Sequence, residues 1–243
     1  LRSDSVAGKR PVERVCPVRQ ILVKFEIHCR PIRALRSETM NRETVAFAQM
    51  KDATQADYDL LSGKFQPYQE ATAERVLETL QRQATDHETG HQIHRLDHAL
   101  QCATRARAEG ADIDWIGAAL LHDIGDGLAP MNHDRFAAEI LRPFLREEVT
   151  WVVAHHGAFQ LVYSGEFTGR DPSTREQFSE LPYYQSCVDF CERWDQRSFD
   201  PGYANDPLDS FRVEIDTIFA RMPFDPGHLR AGEVLGLPSA STQ

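Results

Sequence analysis

The segment Trp115–His122 restricts the fold of this chain more than any other feature of the sequence, because it is apolar nearly all round. A helix without a polar face is buried on every side. Asp112 or Asp114 is placed to cap the start of such a helix, and the glycines at 125 and 127 are placed to end it. The chain is therefore expected to surround this helix with others.

The flanking sequence supplies those other helices. Apolar residues recur there at the i, i+3, i+4, i+7 spacing of helices with one buried face. The predicted segments are Glu70–Gln83, Gln92–Ala108, His133–Leu145, Glu147–His156, Tyr183–Trp194 and Asp209–Arg221. Ser164–Ser179 is predicted as a loop with at most one helical turn, and Ile21–Cys29 is the one short strand. The fold class is therefore predicted as all-α, a bundle of about six to eight helices.

Charge and composition divide the chain into three parts. Residues 1–39 hold nine Lys and Arg residues against four Asp and Glu residues, whereas the whole chain has a net charge of -10. We expect Met40 to be the true start and 1–39 to be an extension outside the fold. The helical domain is predicted over 40–222, and the Pro-, Gly- and Ser-rich residues 223–243 are predicted to form a flexible tail.

The overall composition excludes several classes of protein. The acidic balance disfavours a nucleic-acid partner, which requires a basic surface. No apolar run reaches the roughly 20 residues of a membrane span, so no membrane partner is expected. Five cysteines without regular spacing do not form a disulfide framework and favour a reducing cytoplasm.

The placement of the histidines is the strongest indication of a functional site in this sequence. Eight of the ten lie between residues 87 and 156, and imidazole is the commonest metal ligand in proteins. His122 and Asp123 stand at the end of the buried helix, where the turn at Gly125 lets the two side chains converge. There Asp123 is placed to bridge two ions while His122 binds one of them. A cation also compensates a carboxylate held beside an apolar helix.

The segment Leu120–Gly125 resembles the His-Asp motif of the HD-domain superfamily of helical metalloenzymes. This resemblance implies an HD-domain helical bundle. The ligand order of that superfamily implies His98 as the first ligand and a distant Asp as the last. Asp189 and Asp195 both lie on or next to the last-but-one predicted helix. The segment Arg193–Gln196 is similar to the terminal motif of one branch, which implies Asp195.

The resemblance also implies ligands for a second ion. His133 supplies one, and relatives with a single histidine at the corresponding helix end imply His156, with His155 beside it or facing substrate. The implied ligands are His98, His122, Asp123, His133, His156 and Asp195. Nitrogen and oxygen donors without a thiolate suit iron or manganese. The implied cofactor is a pair of iron ions, Fe2+ and Fe3+, with Mn2+ as the alternative.

This set is similar to that of the mixed-valent diiron oxygenases of the superfamily, myo-inositol oxygenase and the phosphonate-cleaving oxygenases. The resemblance implies an enzyme that uses O2 to cleave a C–C or C–P bond, or to hydroxylate a C–H bond, of a small polar substrate. The alternative is a dinuclear HD phosphohydrolase acting on a nucleotide or phosphoester. There the same six ligands would hold a metal-bound hydroxide.

The sequence departs from these relatives at two places. Asp126 stands where myo-inositol oxygenase has Lys, and Glu88–Gln92 lacks the Tyr that phosphonate oxygenases have ahead of the first ligand. Arg95 lies one turn before His98 and is equally compatible with facing the site or the solvent. The residues predicted to support the ligands or contact substrate are His94, Arg95, Asp126, His155, Tyr163 and Tyr184.

Overall fold

The structure is a computed structural model that describes residues 44–85 and 90–239. The predictions for residues 1–39, including the strand at 21–29, lie outside the described residues, as do those for Glu88, Thr89 and residues 240–243. The chain divides into two units, Leu1–Thr44 and Val45–Gln243, and every helix given below belongs to the second.

Residues 44–85 and 90–239 contain nine α-helices and no strand, which confirms the all-α prediction. The sequence predicts six to eight helices, and one of the nine observed helices has only four residues. Among these helices, none has the length and apolarity needed to cross a lipid bilayer. The helices are α1 Gln55–Glu70, α2 Thr72–Arg82, α3 Arg95–Ala108, α4 Ile113–Leu121, α5 His133–Leu141, α6 Glu147–Thr168, α7 Tyr184–Phe190, α8 Arg212–Phe219 and α9 Pro226–Leu229.

Helix α4 lies at the centre of the bundle, as its apolar sequence predicts. Every residue from Asp114 to Leu121 is buried, and α3, α6 and α8 pack against the helix. The Asp112 carboxylate begins the helix by accepting hydrogen bonds from the backbone N–H groups of Asp114 and Trp115, at 3.0 and 3.1 Å. The burial of α4 fixes the position of the two residues that follow it, His122 and Asp123.

Gly125 brings the start of α5 close to the end of α4. A Cβ atom at this position would lie 2.8 Å from the Phe136 ring and 3.0 Å from the carbonyl oxygen of His133. Only a residue without a side chain permits that approach. Because the backbone at Gly125 touches the first turn of α5, His133 lies beside Asp123.

Helix α6 is longer than predicted. It runs 22 residues and ends at Gly169, whose φ of 71° is left-handed, so the predicted end at His156 and the predicted loop at 164–168 are wrong. The Gly residues inside this segment lower helix propensity by only about 1 kcal/mol each. The contacts of α6 with α5 and α7 outweigh that cost.

The predicted helix Tyr183–Trp194 has two geometries. Helix α7 ends at Phe190, and a π-helical turn follows over Cys191–Asp195. Its wider hydrogen bond runs from the Gln196 N–H to the Cys191 carbonyl oxygen, at 3.0 Å. Such turns add one residue to a helix and redirect the side chains that follow. Here the redirected side chain is that of Asp195.

The C-terminal segment contacts the core. Of the predicted flexible tail 223–243, residues 223–239 are described, and they include α9. The N–H groups of Leu235 and Gly236 donate to the fully buried carboxylate of Glu148, at 3.0 and 2.9 Å. The Trp115 indole donates to the Gly236 carbonyl oxygen at 2.9 Å. A buried carboxylate requires such donors, so these hydrogen bonds hold Leu235 and Gly236 against the core.

Candidate metal centre

The structure brings the six sequence-predicted ligands together at one end of α4. Their nitrogen and oxygen atoms form three overlapping groups, each with all atoms within 4.8 Å of one another. The contributing segments are the first turn of α3 (His98), the end of α4 (His122 and Asp123), the first residue of α5 (His133), the middle of α6 (His156) and the π turn (Asp195). Five separate segments therefore converge.

The first group is His98, His122 and Asp123, and Asp195 joins it through a second group with His122 and His156. We call the set His98, His122, Asp123 and Asp195 site A. The Nε2 atoms of His98 and His122 are 3.1 Å apart, and each is 3.5 Å from Asp123 Oδ2. Asp195 Oδ1 completes the group at 3.4 Å from His98 and 3.6 Å from His122. Four donor atoms thus face one small space.

We call the third group site B; it consists of Asp123, His133 and His156. The Nε2 atoms of His133 and His156 lie 3.4 and 3.2 Å from Asp123 Oδ1. The two oxygens of Asp123 therefore face different histidine pairs, Oδ2 towards site A and Oδ1 towards site B. This is the arrangement of a carboxylate shared by two ions.

The donor set fits metal ions in its distances and in its orientation. With metal–ligand bonds of about 2.1 Å, neighbouring donors of one ion lie about 3.0–3.4 Å apart, close to the separations in both sites. The Nδ1 atoms of His98, His122 and His156 lie 2.8, 3.0 and 2.7 Å from backbone carbonyl oxygens. An N–H directed to those carbonyls leaves each Nε2 lone pair facing the site.

Asp195 provides a further indication of a cation. Its Oδ2 atom is buried and has no hydrogen-bond partner among the described residues. An unpaired buried carboxylate oxygen is costly, and a metal ion would satisfy it.

Electrostatics at the centre favour positive charge. Burial opposes the charge of Asp123 and of Asp195, but the neighbouring imidazoles outweigh it and hold the pKa of both carboxyls below the usual range. Burial likewise opposes a charged His156, yet the hydrogen bond and charge of Asp123 raise its pKa to about 10. Proton binding by His98 and His156 is therefore favoured in the metal-free chain, and metal binding would compete with it.

His133 has a different environment from the other three histidines. Its Nδ1 atom lies 3.2 Å from Asp126 Oδ1 and 3.4 Å from the Pro130 carbonyl oxygen. Asp126 in turn forms an ion pair with Arg95, the first residue of α3. Arg95 therefore lies at the edge of the metal centre, not in open solvent.

A cavity of about 890 Å³ opens onto the centre, chiefly at site B. Both site B histidines line it, whereas His98 and His122 do not. Tyr163 lies on its wall, and burial raises the pKa of this phenol. The other residues lining it are Pro130, Met131, Asp134, Gly157, Ala158, Gln160, Leu161, Ser164, Arg170, Thr174, Gln196 and Phe199, together with Asp123 and Asp195.

Two predicted substrate contacts do not reach this cavity. His155 stacks on Trp151 with ring centroids 4.0 Å apart, and its Nε2 atom lies 3.3 Å from the Arg135 guanidinium. Burial lowers the pKa of this imidazole. The Tyr184 hydroxyl donates to Glu176 at 3.1 Å. Neighbours on a helix point about 100° apart, which is why His156 enters the site and His155 does not.

His94, Phe199 and Arg170 complete the surroundings, and the sequence analysis assigned neither Phe199 nor Arg170 to the site. His94 precedes α3 and lines a second, smaller pocket of about 90 Å³ that also contacts His98. Phe199 lines both pockets and stacks on His98 with centroids 4.4 Å apart. Arg170 lines the large cavity just beyond the end of α6, where its backbone N–H donates to the Gly165 carbonyl oxygen at 2.9 Å. No spacing in the sequence indicates either residue.

Comparison with known protein families finds an HD domain at residues 95–181. This range contains five of the six candidate ligands, and Asp195 lies beyond it. The HD domain indicates a metal-dependent hydrolase or oxygenase, and HD domains bind divalent metals. No curated protein matches the chain significantly.

Proposed function

We propose that this protein is a diiron oxygenase that uses O2 to oxidise a small polar organic substrate. The reaction would cleave a C–C or C–P bond or hydroxylate a C–H bond. The observation that carries the proposal is the position of Asp123, whose two oxygens lie within 3.5 Å of histidine nitrogens in two different sites. A centre that held a single ion in site A would not need His133 and His156 as ligands.

The chemistry of the donors supports iron over a soft-metal site. Four imidazoles and two carboxylates suit iron or manganese. None of the donor groups found among the described residues includes a cysteine, and burial raises the pKa of the Cys102 and Cys191 thiols well above the usual value. Bound iron ions would supply the one-electron chemistry that reactions with O2 require.

The protein residues around site B would bind and orient the substrate. His133 and His156 hold the metal position that faces the large cavity, so substrate oxygens would approach there. Tyr163 and Gln160 offer hydrogen-bonding groups along the cavity wall, and the ring of Phe199 excludes water beside His98. Holding the reacting bond in one geometry is itself a large part of catalysis.

The charge of the cavity favours a small substrate over a nucleotide. Among the described residues that line it, Arg170 is the only Lys or Arg. Triphosphates and diphosphates are usually bound by several cationic groups, whereas one Arg matches one anionic group. This supports the oxygenase over the phosphohydrolase that the same ligands would permit.

The test is metal analysis and spectroscopy on protein purified without oxygen. We expect about two iron ions per chain, a mixed-valent electron paramagnetic resonance signal after partial oxidation, and O2 uptake with a phosphonate, polyol or amino-acid-like compound. The same preparation is assayed for phosphate release from nucleotides and phosphoesters. Release of phosphate without O2 uptake would overturn the proposal in favour of the hydrolase.

A further inference from the structure

The histidines of the metal centre differ in the group that contacts Nδ1, the ring nitrogen that faces away from the metal site. For His98, His122 and His156 the Nδ1 atom contacts one backbone carbonyl oxygen, at 2.7 to 3.0 Å. The Nδ1 atom of His133 lies between the carboxylate of Asp126 and the more distant Pro130 carbonyl. Within the described residues, His133 is thus the one ligand whose outer nitrogen faces a charged side chain.

The Asp126 carboxylate is itself held in place. Arg95 pairs with Asp126 Oδ2, while Oδ1 faces His133. Both side chains are shielded, with exposed fractions of 25% for Arg95 and 16% for Asp126. A fixed, shielded charge acts more strongly on its neighbours than a solvated one.

We propose that Asp126 is a positioning residue for His133 and sets the metal affinity of site B. Its negative charge favours the tautomer with the proton on Nδ1, which leaves Nε2 free to bind metal, and it holds the ring towards Asp123. A carboxylate behind a ligand imidazole also makes that imidazole a stronger donor. Arg95 acts through Asp126 by holding the carboxylate in place. The inference rests on the proposed two-metal centre but not on which reaction it performs.

The experiment titrates metal-free protein with Fe2+ without oxygen, and measures bound metal by equilibrium dialysis. We expect the wild-type protein to bind two ions. In Asp126→Asn and Asp126→Ala, one ion should bind about 10-fold to 100-fold more weakly, the range for lost partners of this kind. The affinity for the other ion should stay unchanged. Asp126→Glu, which keeps the charge, should recover part of the loss.

Two more variants separate positioning from general damage. Arg95→Gln keeps the Asp126 carboxylate and should lower the affinity for the same ion several-fold. Arg95→Lys should lower that affinity less. Asp189→Asn is the matched control, because Asp189 bonds with Gln185 away from the centre. This control should bind both ions as the wild type does.

The outcomes separate this inference from the proposed function. Two ions bound with wild-type affinity in Asp126→Ala would overturn the positioning role and leave the two-metal centre intact. An equal loss of both ions would overturn it too, because a role at His133 acts on one site. A wild-type chain that binds fewer than two ions would overturn the two-metal centre and this inference together.

Discussion

The Nε2 atoms of His98 and His122 face each other at 3.1 Å, and both rings are buried. Each ring also has its Nδ1 atom at a backbone carbonyl oxygen. With the Nδ1 protons directed to those carbonyls, two lone pairs would meet across this gap and repel each other. A proton on one Nε2 relieves the repulsion in the metal-free chain, since the charges of Asp195 and Asp123 raise the pKa of His98 against the effect of burial. A metal ion bound by both nitrogens would also relieve it.

Loss of Asp123 is expected to empty both sites. Asp123→Ala removes Oδ2 from site A and Oδ1 from site B, whereas His133→Ala removes a donor from site B alone. Metal analysis after reconstitution without oxygen should give almost no bound metal for Asp123→Ala and about one ion per chain for His133→Ala. Equal metal content in the two variants would contradict a shared carboxylate.

The adjacent pair His155 and His156 offers a matched comparison on one helix. His156→Ala should lose the ion of site B, because its Nε2 atom lies 3.2 Å from Asp123. His155→Ala should keep both ions, because that ring packs on Trp151. The same metal analysis applies to both variants. A greater loss in His155→Ala would mean that the ligand assignment is reversed.

The sequence predicts those parts of the site that neighbouring residues determine, and it fails for those that packing between distant segments determines. The buried helix and its terminal His122 and Asp123 follow from an apolar run and a turn, so they are readable from about ten residues. His155 and His156 are indistinguishable in composition, and only the register of α6 decides which one enters the site. That register depends on packing against α5 and α7.

The parts that could not be predicted arise from distant contacts. The π turn that directs Asp195 inwards has no sequence pattern of its own, and only a family resemblance favours Asp195 over Asp189. Phe199 stacks on His98 across 101 positions of sequence. The contact between Glu148 and Gly236 spans 88 positions, so no local pattern in the C-terminal segment indicates it.

The metal-free protein should lose stability as the pH rises. The pKa of His156 is raised from 6.5 to about 10, because Asp123 stabilises the charged ring more than burial opposes it. This stabilisation is complete below about pH 6.5 and disappears as the pH approaches 10. Thermal unfolding of the metal-free chain should therefore show a falling midpoint between pH 7 and 10.

His156→Gln is the control for that pH dependence, because it removes the titrating ring. Its midpoint should vary less over the same range, and metal-loaded wild type should resist the rise because the ion occupies Nε2. Parallel curves for the wild type and His156→Gln without metal would contradict the role of this imidazole.

Stability should also depend on the contact between α6 and the C-terminal segment. Glu148→Ala removes the acceptor for Leu235, Gly236 and the Ser186 hydroxyl, and it leaves Arg146 buried with one fewer carboxylate nearby. Breaking a buried charged network costs about 3–5 kcal/mol. Urea unfolding should show a loss of that size, whereas Glu233→Ala, whose carboxylate pairs with Arg230 at the surface, should cost less than about 1 kcal/mol.

Arg170 should determine which substrates bind. It is the only Lys or Arg among the described residues of the cavity wall, so an anionic group of the substrate has one cationic partner there. A hydrogen bond to a charged group contributes about 1.5–3 kcal/mol. Arg170→Ala should therefore raise the KM of an anionic substrate roughly 10-fold to 100-fold, with a smaller effect in Arg170→Lys.

Arg175→Ala is the matched control for that measurement. Arg175 pairs with Glu176 and does not line the cavity, so this variant should keep the wild-type KM. Neutral substrates should distinguish a charge effect from a change of shape, because Arg170→Ala should leave their KM unchanged. An equal rise in KM for neutral and anionic compounds would show that Arg170 supports the cavity wall without selecting charge.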